Sequence, residues 1–213
     1  MEPVIKIAFM GAGSTVFAKN VLGDCMCAEP LKDAEIALYD IDAQRLADSQ
    51  LVIGAINRAK GSHATIKTYL GVENRKEALR GADFVVNAIQ VGGYDPCTII
   101  DFEIPKKYGL QQTNADTIGI GGIMRALRTI PVLEDFARDI EEVCPDAWFI
   151  NYTNPMAMLT GYMQRYTGIK TVGLCHSVQA CSKELLAFLG MEDKIEGRRE
   201  LIAGINHMGW LLD

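Results

Sequence analysis

The sequence predicts an α/β protein built on a doubly wound parallel sheet. Three observations lead to this prediction. Short apolar runs alternate with longer segments of helical spacing along the whole chain. Most of these runs contain few polar residues, which is typical of parallel strands covered on both faces. Several of them end at a glycine or a polar residue, and the carboxyl ends of such strands form the rim where α/β sheets bind ligands.

The predicted elements follow one another in strand–helix order. Residues 3–10 are rich in β-branched residues and end at a glycine, and residues 84–89 are apolar apart from one asparagine. The apolar spacing over 43–60 predicts a helix. The predicted strands are 3–10, 35–39, 66–70, 84–89, 147–152, 171–174 and 201–205. The predicted helices are 15–27, 43–60, 75–79, 98–108, 131–144, 156–166 and 177–189.

Two of these helices rest on particular signals. Residues 131–144 have the spacing of an amphipathic helix with an acidic, solvated face. Pro155 suits the first turn of the helix at 156–166, because its missing N–H is one that a helix start leaves unpaired. Arg125 and Arg128 have i, i+3 spacing, and we expect them on a separate short helix.

Composition sets limits on the partners of the chain. The 213 residues carry a formal charge of −6, which argues against nucleic acid or an anionic membrane as the main partner. The N-terminus lacks the pattern of a signal peptide, and no apolar stretch approaches the ~20 residues needed to span a bilayer. The scattered cysteines show no zinc-ribbon spacing, so we expect a cytoplasmic protein with reduced thiols. They are Cys25, Cys27, Cys97, Cys144, Cys175 and Cys181.

A dinucleotide-binding pattern lies at the start of the chain. The first predicted strand leads into Gly11, Gly13 and Ser14, and a helix follows. Glycines allow the backbone to approach a pyrophosphate, which the helix N-terminus stabilises. Val16 takes the place of the third glycine of the full motif, but Asp40 ends the second strand, where a carboxylate holds a ribose diol and disfavours NADP. The pattern therefore predicts a Rossmann-like unit that binds NAD.

Polar residues collect where the later strands end. An amide within an apolar strand, such as Asn87, is either a cofactor contact or a satisfied core amide. Asp116 lies in a polar, glycine-rich loop, and is either a reactive group or a turn residue. The residues expected at one rim are Asn87, Asn154, Cys175, His176, Asn206 and His207. Cys175 and His207 are far apart in sequence, so local spacing gives no support for a metal site.

Several motifs in order resemble glycoside hydrolase family 4, and the resemblance runs from about Ile5 to the C-terminus. The CHSV form is similar to the α-galactosidase branch of the family. The motifs are GAGST, LYDID, the GGY loop, ADTIGIGGIMRALRT, NYTNPM, GLCHSV and GINHM.

The resemblance implies a redox route to the hydrolysis of α-galactosides. NAD takes a hydride from C3 of the sugar, a base removes the C2 proton, and the C1 leaving group departs by elimination. Water then adds, and the C3 ketone is reduced back. A divalent metal, usually Mn²⁺, polarises the C2 and C3 oxygens. A thiolate and an imidazole alone would favour Zn²⁺, so the expectation of manganese rests on the resemblance.

The resemblance also assigns roles by motif. Cys175 and His207 would be metal ligands. Asn154 would hold sugar hydroxyls near the metal. His176 would be the acid that assists the leaving group, and Asp116 would tune the basicity of the C2 base. The residues implied for NAD are Gly11, Gly13, Ser14 and Asp40, with Asn87 near the nicotinamide.

Family members are roughly twice this length, and their tyrosine base lies beyond residue 213. We therefore expect residues 1–200 to form the NAD-binding domain and residues 201–213 to begin a substrate domain. Most of the C-terminal substrate and dimerisation part would then be absent. The prediction is that the chain alone binds NAD weakly and has little or no hydrolase activity. The full-length protein would be a homo-oligomer.

Two other functions stay open at this stage. A 2-hydroxy-acid dehydrogenase of the lactate/malate type shares the sheet and an Asn-Pro after a strand, but it needs no metal. A non-catalytic NAD-binding module would bind NAD without a metal. The adjacent Cys-His and Asn-His pairs at successive strand ends argue against the dehydrogenase.

Overall fold

The structure is a computed structural model that describes residues 4–114, 116–197 and 199–212. In this part of the chain, a parallel sheet of six strands has the order β3-β2-β1-β4-β5-β6. The strands are β1 (Lys6–Met10), β2 (Glu35–Asp40), β3 (Thr65–Leu70), β4 (Phe84–Asn87), β5 (Trp148–Asn151) and β6 (Lys170–Gly173). The helices are α1 (Thr15–Cys27), α2 (Ala43–Lys60), α3 (Arg75–Leu79), α4 (Ile99–Lys106), α5 (Gly119–Val143), α6 (Met156–Tyr166) and α7 (Ser177–Phe188).

Both faces of the sheet are covered, because alternate residues of each strand enter different cores. On β1, Ile7 and Phe9 pack into a buried cluster with residues of α1 and α2. Ala8 and Met10 point the other way, into a cluster with residues of α3, α5 and α6. This alternation follows from the two-residue period of a strand. The strand order reverses between β1 and β4, the position at which open α/β sheets form a ligand crevice. The Rossmann-like, doubly wound sheet predicted from the sequence is confirmed.

The sequence prediction was wrong about the start of α5, which begins at Gly119 rather than at Pro131 and includes both arginines. Gly122 lies so close to the turn before the helix that a Cβ there would be 2.7 Å from the Thr117 carbonyl carbon. The glycines therefore allow the first turn to pack tightly and do not break it. Pro131 is tolerated inside the helix because it lies on the exposed side, where water can bind the carbonyl that proline leaves unpaired.

The seventh strand was also placed wrongly. β7 (Ile202–Ile205) does not join the parallel sheet but pairs with β8 (Met208–Leu211) in an antiparallel hairpin. Asn206 and His207 form the two-residue turn of this hairpin. The alternation of strands and helices predicts another parallel strand here, whereas the short turn makes an antiparallel partner available at once. Among the described residues, no helix is both long and apolar enough to cross a bilayer.

Candidate active site

The glycine turn after β1 is packed closely against neighbouring backbone. Gly11 has a φ of 86°, and a Cβ there would lie 2.7 Å from the Ala88 carbonyl oxygen just after β4. Gly13 donates its N–H to Asp40 Oδ2 at 2.6 Å. Ser14 is exposed and immediately precedes α1. The glycine turn thus packs closely against neighbouring backbone and leaves Ser14 exposed at the N-terminus of α1, where a pyrophosphate would bind.

Asp40 is held in place and keeps capacity for a ligand. Its Oδ2 accepts the Gly13 N–H, and its Oδ1 accepts the Asp42 N–H at 2.9 Å. Each carboxylate oxygen can accept two hydrogen bonds and accepts one from the described residues, so one position on each oxygen would be open to a ligand. These two acceptors fit the hydroxyls of a ribose diol, and the glycine turn fits the pyrophosphate beside it.

Replacing Gly11 with alanine should destabilise the fold more than the same change at Gly61. Gly61 also has a positive φ, 63°, but nothing lies within 4 Å of a Cβ there. We expect a loss of about 1 kcal/mol for Gly61→Ala from backbone strain alone, and about 3 kcal/mol for Gly11→Ala, where a steric clash is added. Urea unfolding would measure both. Equal losses would contradict the close approach to Ala88.

Asn87 lies at the carboxyl end of β4 and is completely buried. Its Nδ2 donates to Asn151 Oδ1 at 2.9 Å and to Thr153 Oγ1 at 3.1 Å. Its Oδ1 is buried and has no hydrogen-bond partner among the described residues. The core-amide interpretation therefore holds for the nitrogen, while the oxygen remains available to a ligand that enters the crevice.

The Asn154 amide nitrogen, just before α6, has no hydrogen-bond partner among the described residues. Its Oδ1 accepts the Met156 N–H at 3.3 Å, and a backbone N–H can only face the oxygen end of a carboxamide. Its own carbonyl oxygen accepts the Arg125 Nε–H at 3.1 Å. The loop after β5 is thus fixed from both sides, and the Asn154 Nδ2 is left as a hydrogen-bond donor.

Asp116 lies near this loop but not against it. Its Oδ2 is 3.8 Å from the Arg125 Nη1, an ion pair without a hydrogen bond, and its side chain is partly exposed. Burial lowers the pKa of the Arg125 guanidinium, and the Asp116 charge opposes that effect. Asp116 and Asn154 are therefore brought together by one arginine that the sequence argument had placed on a separate helix.

Cys175 and His207 converge, although 32 positions separate them. The Cys175 Sγ lies 3.4 Å from the His207 Nε2. Two ligands of one cation, with bonds of about 2.3 Å to sulfur and about 2.1 Å to imidazole nitrogen, lie roughly 3.1–3.6 Å apart at octahedral to tetrahedral angles. The observed separation is within this range. The separation would fit two ligands of one divalent cation, and without a cation it also fits a hydrogen bond between the two side chains.

The environment of Cys175 favours its thiolate. Partial burial acts to raise the pKa of the thiol, but hydrogen bonds with the Ser177 hydroxyl, the Ser177 N–H and the Asn206 side chain oppose burial, and the net direction is downward. The Ser177 Oγ is 2.9 Å from the sulfur. Burial instead raises the pKa of the Cys144 thiol to about 11, so the two environments shift the thiol pKa in opposite directions.

His207 has a backbone conformation that few residues adopt. It is the non-glycine residue with positive φ, at 62°, in the described part of the chain. Such a conformation costs free energy for an L residue and is found often at functional sites. Glycine would fit this turn position without strain, so a histidine here costs free energy in backbone strain.

His176 is placed differently from its neighbour. It is the N-cap residue of α7, and its exposed imidazole has no hydrogen bond or ion pair among the described residues. A cleft of about 910 Å³ opens between α7 and the β7–β8 hairpin, and Cys175, Asn206 and His207 line it. His176 does not line this cleft. The structure thus brings Cys175 and His207 together, but leaves His176 at the surface.

Two residues of this site were not assigned a role from the sequence. Ser177 appears there only as the start of a helix, and Asn206 only as a neighbour of His207. A serine two residues after a cysteine at a helix start is a local signal for a stabilised thiolate, whereas the contact of Asn206 depends on the hairpin. Among the described residues, no group of three Cys, His, Asp or Glu side chains is placed to bind a metal.

Replacing Ser177 with alanine should raise the pKa of the Cys175 thiol, because a hydrogen bond to the thiolate is removed. In metal-free protein, the pH midpoint of alkylation at Cys175, followed by peptide mass spectrometry, should move upward. Ser177→Thr keeps the hydroxyl and should leave the midpoint near that of the unmodified chain. Equal midpoints for Ser177→Ala and the unmodified chain would contradict the assigned contact.

The chain is similar to a family of known enzymes. The profile described as Family 4 glycosyl hydrolase matches residues 6–191. An alpha-galactosidase of Bacillus subtilis (strain 168) is 63% identical over 208 residues, covering 98% of this chain and 47% of that protein. An alpha-galacturonidase of Thermoanaerobacterium saccharolyticum is 39% identical over 216 residues, covering 97% and 45%.

The fold is shared with a solved structure of the 6-phospho-beta glucosidase from Thermotoga maritima, which contains manganese, NAD⁺ and glucose-6-phosphate. The TM-score is 0.78 at 26% identity, and the match covers 97% of this chain and 48% of that one. The chain spans about half the length of the curated relatives it matches. These matches do not favour the lactate/malate dehydrogenase interpretation. The chain belongs to glycosyl hydrolase family 4.

Proposed function

We propose that this chain is the NAD- and metal-binding part of an α-galactosidase that hydrolyses its substrate by a redox and elimination route. The observation that carries the proposal is the 3.4 Å separation of the Cys175 Sγ and the His207 Nε2 at the edge of a cleft. The relative named as an alpha-galactosidase is 63% identical to this chain, whereas the relative named as an alpha-galacturonidase is 39% identical. This difference supports galactose as the sugar of the substrate. The proposed localisation is cytoplasmic, where Cys175 would stay reduced.

In this proposal, NAD lies along Gly11, Gly13, Ser14 and Asp40. The free acceptor positions of Asp40 would hold the ribose hydroxyls, and Asn87 Oδ1 would accept a hydrogen bond from the nicotinamide side. Bound NAD would supply a hydride acceptor for the sugar C3, and a divalent cation, proposed to be Mn²⁺, would supply a Lewis acid. Cys175 and His207 would hold that cation.

The chain's own residues would position the sugar and move protons. Asn154 would donate from its free Nδ2 to a sugar hydroxyl, because Met156 fixes its oxygen end. Asp116, held 3.8 Å from Arg125, would influence the base that removes the C2 proton. His176 has no competing partner among the described residues, so its exposed imidazole would be free to turn toward the leaving group and donate a proton.

The β7–β8 hairpin forms a sheet of its own, which supports a domain boundary near residue 200. Residues 1–200 would bind NAD, and residues 201–213 would begin the substrate domain. The proposed substrate is a small α-galactoside, and the proposed assembly of the longer protein is a homo-oligomer with no nucleic acid or membrane partner.

Replacing Asp40 with asparagine should weaken NAD binding about tenfold, because a neutral amide lacks the charge and one acceptor position for the ribose diol. The preference for NAD over NADP should also decrease, since a carboxylate repels the 2′-phosphate. Isothermal titration with each nucleotide would measure both changes. Asp48→Asn, at an exposed position of α2, is the matched control and should leave affinity unchanged. Unchanged NAD affinity in Asp40→Asn would contradict the assignment.

The proposed function is tested by release of p-nitrophenol from its α-galactoside with NAD, Mn²⁺ and a thiol. We expect little or no turnover by the 213-residue chain, and any turnover should be lost with EDTA and restored by Mn²⁺. In a separate thermal-unfolding measurement, methyl α-galactoside should raise the Tm of the chain only when NAD and Mn²⁺ are both present. Substrate binding or turnover that occurs without NAD and without Mn²⁺ would overturn the proposal. Efficient turnover by this chain would overturn the expectation that it contains only part of the active site.

A further inference from the structure

We propose that the carboxamide oxygen of Asn206 is a third protein ligand of the cation held by Cys175 and His207. This inference deepens the proposed function and rests on it. A Cys–His pair supplies two donors, and the described residues provide no third Cys, His, Asp or Glu nearby. An amide oxygen on the same turn as His207 would complete a set of three.

The first observation is an unsatisfied polar atom. The Asn206 Oδ1 is buried and has no hydrogen-bond partner among the described residues. Buried carbonyl oxygens are almost always paired, so such an atom needs an explanation, and an absent ion is one of the ordinary ones. A neutral amide oxygen is a suitable ligand for a hard divalent cation.

The second observation is position. Asn206 and His207 form the hairpin turn and line one cleft together with Cys175. The Asn206 side chain also hydrogen-bonds the Cys175 sulfur and helps to lower the pKa of the thiol. Only the nitrogen end of the carboxamide carries hydrogens, so Nδ2 faces the sulfur in this state.

The two ends of a carboxamide exchange places by a half-turn about a soft torsion. That rotation breaks the contact between Nδ2 and the sulfur. It breaks no hydrogen bond of the oxygen, because the oxygen has no hydrogen-bond partner among the described residues. A cation beside the sulfur would itself stabilise the thiolate, so the N–H donor would no longer be required there. The positive charge would instead attract the oxygen end of the carboxamide. Asn206 would thus stabilise the free thiolate through nitrogen and the bound cation through oxygen.

The third ligand bears on the choice of metal. Sulfur and imidazole donors alone favour Zn²⁺, whereas oxygen donors suit Mn²⁺. An added uncharged oxygen ligand shifts the preference of the site from Zn²⁺ toward Mn²⁺ and adds no negative charge. Replacing the oxygen should therefore weaken Mn²⁺ binding more than Zn²⁺ binding.

The test compares Asn206→Ala and Asn206→Asp with Asn114→Ala, whose side chain lines the same cleft and has no hydrogen bond among the described residues. Mn²⁺ affinity would be measured by the paramagnetic resonance signal of free Mn²⁺, and Zn²⁺ affinity by competition. We expect Asn206→Ala to weaken Mn²⁺ binding about tenfold or more and Zn²⁺ binding less, with Asn114→Ala unchanged.

Asn206→Asp separates a ligand from a residue that acts only by donating to sulfur. The aspartate keeps an oxygen at the same place and should bind Mn²⁺ at least as tightly as the unmodified chain. If Asn206 acted only by donating a hydrogen bond to the sulfur, this variant would lose that donor and would bind Mn²⁺ more weakly. Weakened Mn²⁺ binding in Asn206→Asp, or unchanged binding in Asn206→Ala, would overturn the inference while leaving Cys175 and His207 as ligands. Failure of the unmodified chain to bind Mn²⁺ would instead overturn the proposed function.

Discussion

Replacing Cys175 with alanine should reduce the affinity of the chain for Mn²⁺ by more than about 100-fold. Loss of an outer-shell partner alone costs metal sites roughly 10–100-fold, and Cys175 is assigned as a direct ligand with a stabilised thiolate. Isothermal titration in reducing, metal-free buffer would measure the change. Cys181→Ala is the matched control, because that thiol is exposed and lines the same cleft. Undiminished Mn²⁺ affinity in Cys175→Ala would remove the basis of the proposed chemistry.

His207 offers a variant that separates ligand loss from misfolding. At a φ of 62°, glycine relieves backbone strain that alanine would keep. His207→Gly should therefore lose Mn²⁺ affinity as severely as His207→Ala, yet unfold at a higher urea concentration than His207→Ala. Loss of binding in the more stable variant cannot be attributed to a disordered hairpin. Retained binding in His207→Gly would show that the imidazole is not a ligand.

Replacing Asp101 with asparagine should destabilise the chain by about 3 kcal/mol. Asp101 on α4 is 1% exposed and forms a bidentate ion pair with Arg128 on α5. The Arg128 Nε also donates to the Val91 carbonyl oxygen at 3.1 Å, so the pair fixes the loop that follows β4. Asparagine removes the negative charge and one acceptor oxygen, so the partly buried guanidinium loses the charge that balances it.

Urea unfolding would measure this loss as a lower midpoint at unchanged slope. Glu77→Gln breaks the exposed pair with Arg80 and should leave the midpoint unchanged, because exposed pairs contribute little. The double variant Asp101→Leu with Arg128→Met should recover part of the loss, since apolar residues can replace a buried pair. An unchanged midpoint in Asp101→Asn would contradict the structural role of the pair.

Local patterns were sufficient for the sheet and for the glycine turn after β1. Gly11 and Asp40 follow strands whose apolar runs are plain in the sequence, and the structure joins the two strand ends by a hydrogen bond from Gly13 to Asp40. The parallel order of the strands followed from the alternation of strands and helices. These features depend on short-range signals, which one sequence contains.

The site could not be assembled from such signals. The contact between Cys175 and His207 depends on a hairpin whose turn uses a residue with positive φ that is not glycine, and no pattern marks that choice. The hydrogen bond from Arg125 to the Asn154 carbonyl requires α5 to begin at Gly119, and the glycines there favour a loop by propensity. Tertiary packing overrides propensity at both places. The family resemblance proposed Cys175 and His207 as ligands, whereas the distance between them came from the fold.

We expect one divalent cation to bind both Cys175 and His207. Crystals soaked with NAD and Mn²⁺ and measured at the manganese absorption edge would locate the ion by anomalous scattering. We predict one peak within bonding distance of both the Cys175 Sγ and the His207 Nε2. A peak elsewhere, or no peak at Mn²⁺ concentrations that saturate the protein in solution, would contradict the claim.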